Sequence, residues 1–358
     1  MDDDINDCLC VFKGALDAVL SLQILQDLFY YGSHDGAIRS FNLKNGRRIQ
    51  VLKGHTSWVN ELTSPVVNEP HHLPDSKPFN TLYSCSRDGT IKIWDIQNAE
   101  CLVTLSGHEG PVNSIDVVYE KGLLASGSHD GTTILWDLKT NTVLRAYSGH
   151  TSAVSSVKLR GPLLFSASWD HFVKIVNIET NKVVNIITPC NSPIRCLDLP
   201  PFPQPDDETT APLDDWNPPV FVGCNDGLIY IMDLQTGKVT QTLKAHTEAV
   251  RCIRVNPTNP NMLFSGSDDT NFFQWDLEMK GVVHAYGGHT DAIRSICLTP
   301  DSGLFTGSFD HLVREWDLVS VNQRIESKRA MQAQILAEQE EEERRKAEAR
   351  AAKKKKKG

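Results

Sequence analysis

Four sets of side chains in this sequence have the types that activate a nucleophile: His55, Ser84, Asp88 with Trp94; His108, Ser126, Asp130 with Trp136; His246, Ser265, Asp269 with Trp275; and, with threonine for serine, His289, Thr306, Asp310 with Trp316. A histidine that takes a hydroxyl proton while an aspartate orients it performs acyl transfer. Such a centre needs one activated hydroxyl in a cleft beside an oxyanion site, and a set copied four times along a chain does not meet that requirement. The same groups can instead satisfy one another. The aspartate accepts from the histidine, the histidine from the hydroxyl, and the hydroxyl oxygen from the indole N–H, so that none is buried unpaired. We prefer this structural reading. The sequence also offers no glycine loop for phosphate, no metal-ligand set and no single activated nucleophile, so we expect a non-catalytic protein with no cofactor and no metal.

The elements that must hold these sets repeat too. Gly54-His55, Gly107-His108, Gly149-His150, Ala245-His246 and Gly288-His289 each stand four residues before a Val or Ile, namely Val59, Val112, Val154, Val250 and Ile293. Two weaker copies, Gly14-Ala15 to Val19 and Pro189-Cys190 to Ile194, keep the register without histidine. Each copy continues through alternating apolar positions, a run of small residues, a tight turn such as Asp88-Gly89, Asp130-Gly131 or Asp226-Gly227, and a closing strand such as Thr90 to Trp94. This is the pattern of half-buried antiparallel strands joined by hairpins. The openings recur about every 40 to 43 residues except where loops are inserted, which is the period of a four-stranded propeller blade.

Seven registered copies closing on Trp-Asp or its variants resemble the WD40 repeat family over residues 8 to 317. The resemblance implies an all-β, seven-bladed WD40 β-propeller, here followed by a charged α-helical tail, with the tetrad described above in each complete blade. We expect residues 1–318 to form the propeller and 319–358 the tail. Cys8 to Lys13 mirrors the outer strand Cys101 to Ser106, so the N-terminal strand is expected to close the last blade. Blade 4 keeps His150, Ser166 and Asp170 but has Val176 for Trp; blade 1 has Ala15 and Phe41; blade 5 has Cys190, Val222 and Met232. These three blades are expected to be softer.

In the resembled family, partners dock on the face where three positions per blade converge: the residues flanking the opening Val or Ile, and the one before the turn Asp. Carried onto this sequence, those positions include Trp58, Arg87, His129, Trp169, Arg195, Arg251, Arg294 and Phe309. Arginine and large aromatics favour interface hot spots, and grouped guanidinium forks suit carboxylate or phosphate. This face is therefore expected to bind an acidic or phosphorylated peptide of a partner protein, unless its arginines are neutralised by Asp268 and nearby carboxylates. Insertions at 65–80 and 200–219 fall between the first and second strands of blades 2 and 5, on the opposite face, and the second is proline-rich and acidic.

Charge divides the chain: 24 Lys and Arg stand against 38 Asp and Glu through residue 317, then 12 against 7 in the rest. An acidic body argues against nucleic acid on the propeller, whereas the Lys353–Lys357 run could touch RNA or another polyanion. The tail is rich in strong helix formers with i, i+4 pairs such as Glu340–Arg344, a coiled coil-like helix that lacks enough apolar heptads to self-associate. Nine cysteines without CxxC spacing, no glycosylation sequon, no leader-like start and no apolar run long enough for a membrane span lead us to expect a cytoplasmic or nuclear setting. A protein-interaction scaffold or adaptor in a multiprotein complex is the leading reading. The alternatives are a substrate receptor of a ubiquitin ligase, which lacks a preceding F-box here, and a ribonucleoprotein assembly factor using the tail.

Overall fold

The computed structural model describes residues 7–13, 15, 17–64, 80–119, 121–201, 217–299 and 303–327. Cys8–Trp316 forms one compact unit, and the remaining described residues, Asp7 with 317–327, belong to another. The first unit is a seven-bladed propeller of four-stranded antiparallel sheets. Blade 2 is typical: from the central channel outward it runs Val59–Thr63, Thr81–Ser86, Thr90–Asp95 and Glu100–Ser106. The second strand is buried almost throughout, which is why it is composed of small and apolar residues such as Leu82, Ser84 and Cys85. The outermost strand is the most exposed.

Blade 7 has only three strands in sequence, Ile293–Leu298, Leu304–Ser308 and Leu312–Trp316. Its fourth is Cys8–Lys13, antiparallel to Leu312–Trp316 with Phe12 opposite Val313 and Lys13 opposite Leu312. Phe12 is buried and packs edge-on to Phe29 of blade 1, with ring centroids 4.6 Å apart. Each apolar cluster lies between successive blades; Val112 and Ile115 of blade 3, for instance, pack with Tyr83 and Ile91 of blade 2. A single sheet would leave both faces wet, so burial comes from closing the ring.

Every innermost strand carries a β-bulge directly after its opening Val or Ile. The residues skipped by the ladder are Leu20, Asn60, Asn113, Ser155, Arg195, Arg251 and Arg294. A bulge leaves one residue unpaired and re-aims its side chain. Between the second and third strands, Gly36, Gly89, Gly131 and Gly227 take φ between 80° and 83°, the left-handed region these turns require.

The insertions at 65–80 and 200–219 fall between the first and second strands of blades 2 and 5, and their stretches 65–79 and 202–216, like the charged segment 328–358, lie outside the described residues. In the second unit a helix spans 318–327. Asp317 caps it, accepting from the Ser320 N–H at 2.9 Å, and Arg324 pairs with Asp7.

Candidate partner-binding face

The repeated polar sets occupy the seam between each opening loop and its own sheet. In blade 2, His55 Nδ1 lies 2.8 Å from Asp88 and Nε2 lies 2.8 Å from the Ser84 hydroxyl, which accepts from the Trp94 indole N–H at 2.7 Å. Blades 3, 6 and 7 have the same chain through His108, Ser126, Asp130 and Trp136, through His246, Ser265, Asp269 and Trp275, and through His289, Thr306, Asp310 and Trp316, with every link between 2.7 and 3.1 Å. The hydroxyls of Ser84, Ser126, Ser265 and Thr306 sit on wholly buried residues. Burial opposes ionisation of Asp88, Asp130, Asp269 and Asp310, but the histidine and nearby N–H donors, with the Thr90 hydroxyl at Asp88 and above all the Thr132 hydroxyl at Asp130, outweigh it and hold all four below the usual carboxylate range. A hydroxyl enclosed this way has no cleft from which to attack a substrate.

The incomplete blades differ from one another. Blade 4 keeps His150 2.8 Å from Asp170 and 2.9 Å from Ser166, and only the indole is missing. Blade 1, expected to be soft, has a replacement: the buried Arg39 reaches in from the third strand to Ser33 at 2.8 Å and to Asp35 at 3.0 Å. The Arg39 guanidinium holds Asp35 well below the ordinary carboxylate range. In blade 5, Tyr230 donates to Asp226 at 3.1 Å, and Cys190 lies against Cys224.

The eight residues assigned to partner binding come together on one side of the ring. In all seven blades the residue before the turn aspartate, or its equivalent, donates its backbone N–H to the carbonyl of the residue before the opening Val or Ile. Examples are Arg87 to Trp58 at 2.9 Å, Trp169 to Ala153 at 2.9 Å and Phe309 to Ala292 at 3.0 Å. The bulge adds the third position. Trp58, Arg87, His129, Trp169, Arg195, Arg251, Arg294 and Phe309 thereby line one central cavity of about 620 Å³, together with the other bulge residues.

Charge in and around this cavity is arranged in two tiers, the second of which lines it through Glu61, Lys158 and Arg254. At the outer tier the Arg87 guanidinium lies 3.4 Å over the Trp58 ring, Arg195 4.5 Å over Trp169 and Arg294 5.1 Å over Phe309. Arg195 also donates to Asn225 at 2.7 and 3.0 Å. Arg251 is the exception: it grips Asp268 with Nε 2.7 Å from both carboxylate oxygens. Among the described residues, the other three arginines have no carboxylate within ion-pair distance, so the neutralising alternative raised by the sequence applies to Arg251 alone. Burial, and then the repulsion of Arg251, lowers Arg195 and brings Arg294 down to about 10, with Arg87 adding to the repulsion on Arg294.

The inner tier was not anticipated. Glu61, Asp116 and Asp198 accept the backbone N–H of Ile115, Leu159 and Val255 in the next blade at 2.7–2.9 Å. Their charges face Arg160, 3.1 Å from Asp116 and 3.6 Å from Asp198, and Lys158, 4.0 Å from Glu61. Burial disfavours the charge on Arg254, but Asp198 and Glu61 outweigh it and raise its pKa. Here positive and negative groups balance. Asp116, Lys158, Asp198 and Arg254 all fall four residues after an opening Val or Ile, a periodic signal that was available in the sequence.

The profile of the family described as WD domain, G-beta repeat matches residues 46–95, 99–137, 141–177, 237–276 and 280–317. The chain belongs to this family. Most of blade 5 and most of blade 1, where the WD40 signature is weakest, lie outside the matched segments, yet both have four strands. Among curated relatives, the DENN domain and WD repeat-containing protein SCD1 of Arabidopsis thaliana is 32% identical over 274 residues, 75% of this WD40 chain and 22% of that protein. Ribosome biogenesis protein YTM1 of Kluyveromyces lactis is 28% identical over 123 residues, 31% of this chain and 25% of that one. The chain thus spans a quarter or less of the length of these relatives. The WD40 beta propeller domain of Doa1 matches with a TM-score of 0.72 at 22% identity, over 88% of this chain and 98% of that domain, a likeness of fold alone. Among the described residues no helix is long and apolar enough to cross a membrane.

Proposed function

We propose that this WD40 propeller is a non-catalytic platform for protein partners in the cytoplasm or nucleus, and that its arginine-lined face takes an acidic or phosphorylated segment of a partner. The uncompensated charge of the outer tier carries the reading: four arginines face one carboxylate, Asp268, and burial, with the repulsion of Arg251 added to it, lowers Arg195 and Arg294. An arriving anion relieves that repulsion. Stacking on Trp58, Trp169 and Phe309 holds each guanidinium plane while leaving N–H edges for oxygen acceptors. At ~4 Å, an ion pair near a protein surface is worth about 4 kcal/mol of Coulomb energy before desolvation, so a few such contacts suffice for a specific site.

The test compares partners captured by the wild-type chain with those captured by the triple variant Arg195→Glu, Arg251→Glu, Arg294→Glu, each with untreated and phosphatase-treated lysate. Loss of the same partners in the variant and after phosphatase supports a phosphopeptide reader. Loss in the variant alone supports a carboxylate-rich segment. Retention in both overturns the assignment and moves the functional surface to the inserted loops or the tail. A ribonucleoprotein assembly role, in keeping with the relative named ribosome biogenesis protein YTM1, is the second reading; it would draw on Lys353–Lys357, outside the described residues.

A further inference from the structure

Blade 5 departs from its neighbours in one respect that packing alone does not require. Where five other blades place an opening histidine, it places Cys190. The Sγ of Cys190 lies 3.2 Å from the Sγ of Cys224, the last residue of the second strand Pro219–Cys224. Cys190 is partly exposed, whereas Cys224 is wholly buried. We propose that Cys190 and Cys224 are a peroxide-reactive dithiol that closes to a disulfide and fixes the loop leading into the strand that carries Arg195.

The surroundings give the two thiols different parts. The contact between the two sulfurs lowers Cys190 from the ordinary thiol value and, together with burial, pushes Cys224 up. Cys190 is therefore the attacking group, and solvent can reach it. Its thiolate attacks the outer oxygen of a hydroperoxide, the O–O bond breaks, and Cys190 becomes a sulfenic acid as the alkoxide or hydroxide leaves and takes up a proton. Cys224 then attacks the Cys190 sulfur, the S–O bond breaks, and water departs with the thiol proton. Overall, two thiols and one hydroperoxide give one disulfide, one alcohol or water, and one further water.

Little movement is needed. The sulfurs must approach by about 1 Å to reach bonding distance, and the backbone on either side is already joined. Cys224 is paired with Ile194 in the ladder, and the Asn225 N–H donates to Pro193 O at 2.9 Å. Asn225 in turn accepts from Arg195. A bridge here would replace, covalently, the histidine-to-aspartate bond that anchors the opening loop elsewhere.

The test uses the full wild-type chain, reduced, freed of reductant and exposed to stoichiometric hydrogen peroxide. It is then alkylated under denaturing conditions and cleaved at aspartate, which separates Cys196 from Cys224. The expected product is a peptide pair joined through Cys190 and Cys224, lighter by two hydrogens and reopened by dithiothreitol, with Cys101 of the outer strand of blade 2 still open to alkylation. Amide exchange across 188–196 is expected to slow in the oxidised protein and recover on reduction. In Cys224→Ser the sulfenic acid has no resolving thiol, so Cys190 is expected to proceed to sulfinic acid. Recovery of both cysteines fully alkylated, at a peroxide dose that oxidises Cys101, would overturn the proposal. So would a bridge from Cys190 to Cys196.

Discussion

The Ser126 hydroxyl lies 2.7 Å from His108 Nε2 and accepts the Trp136 indole N–H at 2.8 Å, so one atom satisfies two buried groups. Ser126→Ala strands both, and we expect a loss of about 2–4 kcal/mol in urea unfolding, because each unsatisfied buried group costs about 1–3 kcal/mol. Thr306 performs the same task in blade 7, so Ser126→Thr should lose far less. The sets also make stability depend on pH. Burial lowers His108 and His150 from 6.5 despite their aspartates; the unfolded chain then binds protons first, and stability declines as pH falls below about 6.5. The depressed aspartates stabilise the fold above the model-peptide value of 3.8, and that contribution is lost as pH falls from there toward their folded values. Urea midpoints measured from pH 8 to 3 should therefore decline in two stages, and a flat profile would contradict this account. Residue-level chemistry was legible wherever it recurred, as in the four tetrads. It was not legible where a blade solves the same problem once: Arg39 replaces the missing histidine of blade 1 from a different strand, and nothing in local sequence says that a third-strand arginine turns back to Asp35.

At the scale of elements, hairpin turns and inner-strand bulges place the side chains of the proposed binding face. Gly227 has φ 80°, and a Cβ there would meet His246 O of the next blade at 2.8 Å. Gly227→Ala combines backbone strain with a clash against main chain, and we expect it to cost about 1–3 kcal/mol, read as a lower Tm. The Asp-Gly pairs announced these turns in the sequence. The bulges were not announced, because a ladder slip exists only relative to the partner strand, and alternation alone cannot register it. The outer strands slip as well: the residues skipped there include Ile49, Leu102, Leu144 and Val184, all more than half exposed. Those bulges interrupt edges that would otherwise invite strand addition, and they account for apolar residues that look misplaced in the sequence.

For the propeller as a whole, closure rests on one antiparallel pairing between segments some 300 residues apart, Cys8–Lys13 against Leu312–Trp316. Phe12 is 6% exposed and belongs to a cluster with Phe29, Phe41 and Val313, so Phe12→Ala should cost about 3–5 kcal/mol. Deleting residues 1–13 should lower Tm further than that single change; an unchanged Tm would mean that the ring holds without its clasp. The mirrored sequences at Cys8 and Cys101 made this closure legible, whereas the pairing of the inner-tier charges across neighbouring blades appeared only once the blades were set side by side. The bulged positions have a consequence for how such a protein changes partners. Asn60, Asn113 and Ser155 spend their side chains bonding a carbonyl of the next blade at 2.8–2.9 Å, whereas Leu20, Arg195, Arg251 and Arg294 have no such duty among the described bonds. Of these, Leu20 belongs to the buried core and Arg251 is held by Asp268, so Arg195 and Arg294 are the positions that can change with least penalty to folding, and on the proposed face a fixed scaffold with such replaceable contacts would let selection rewrite its vocabulary of ligands one letter at a time.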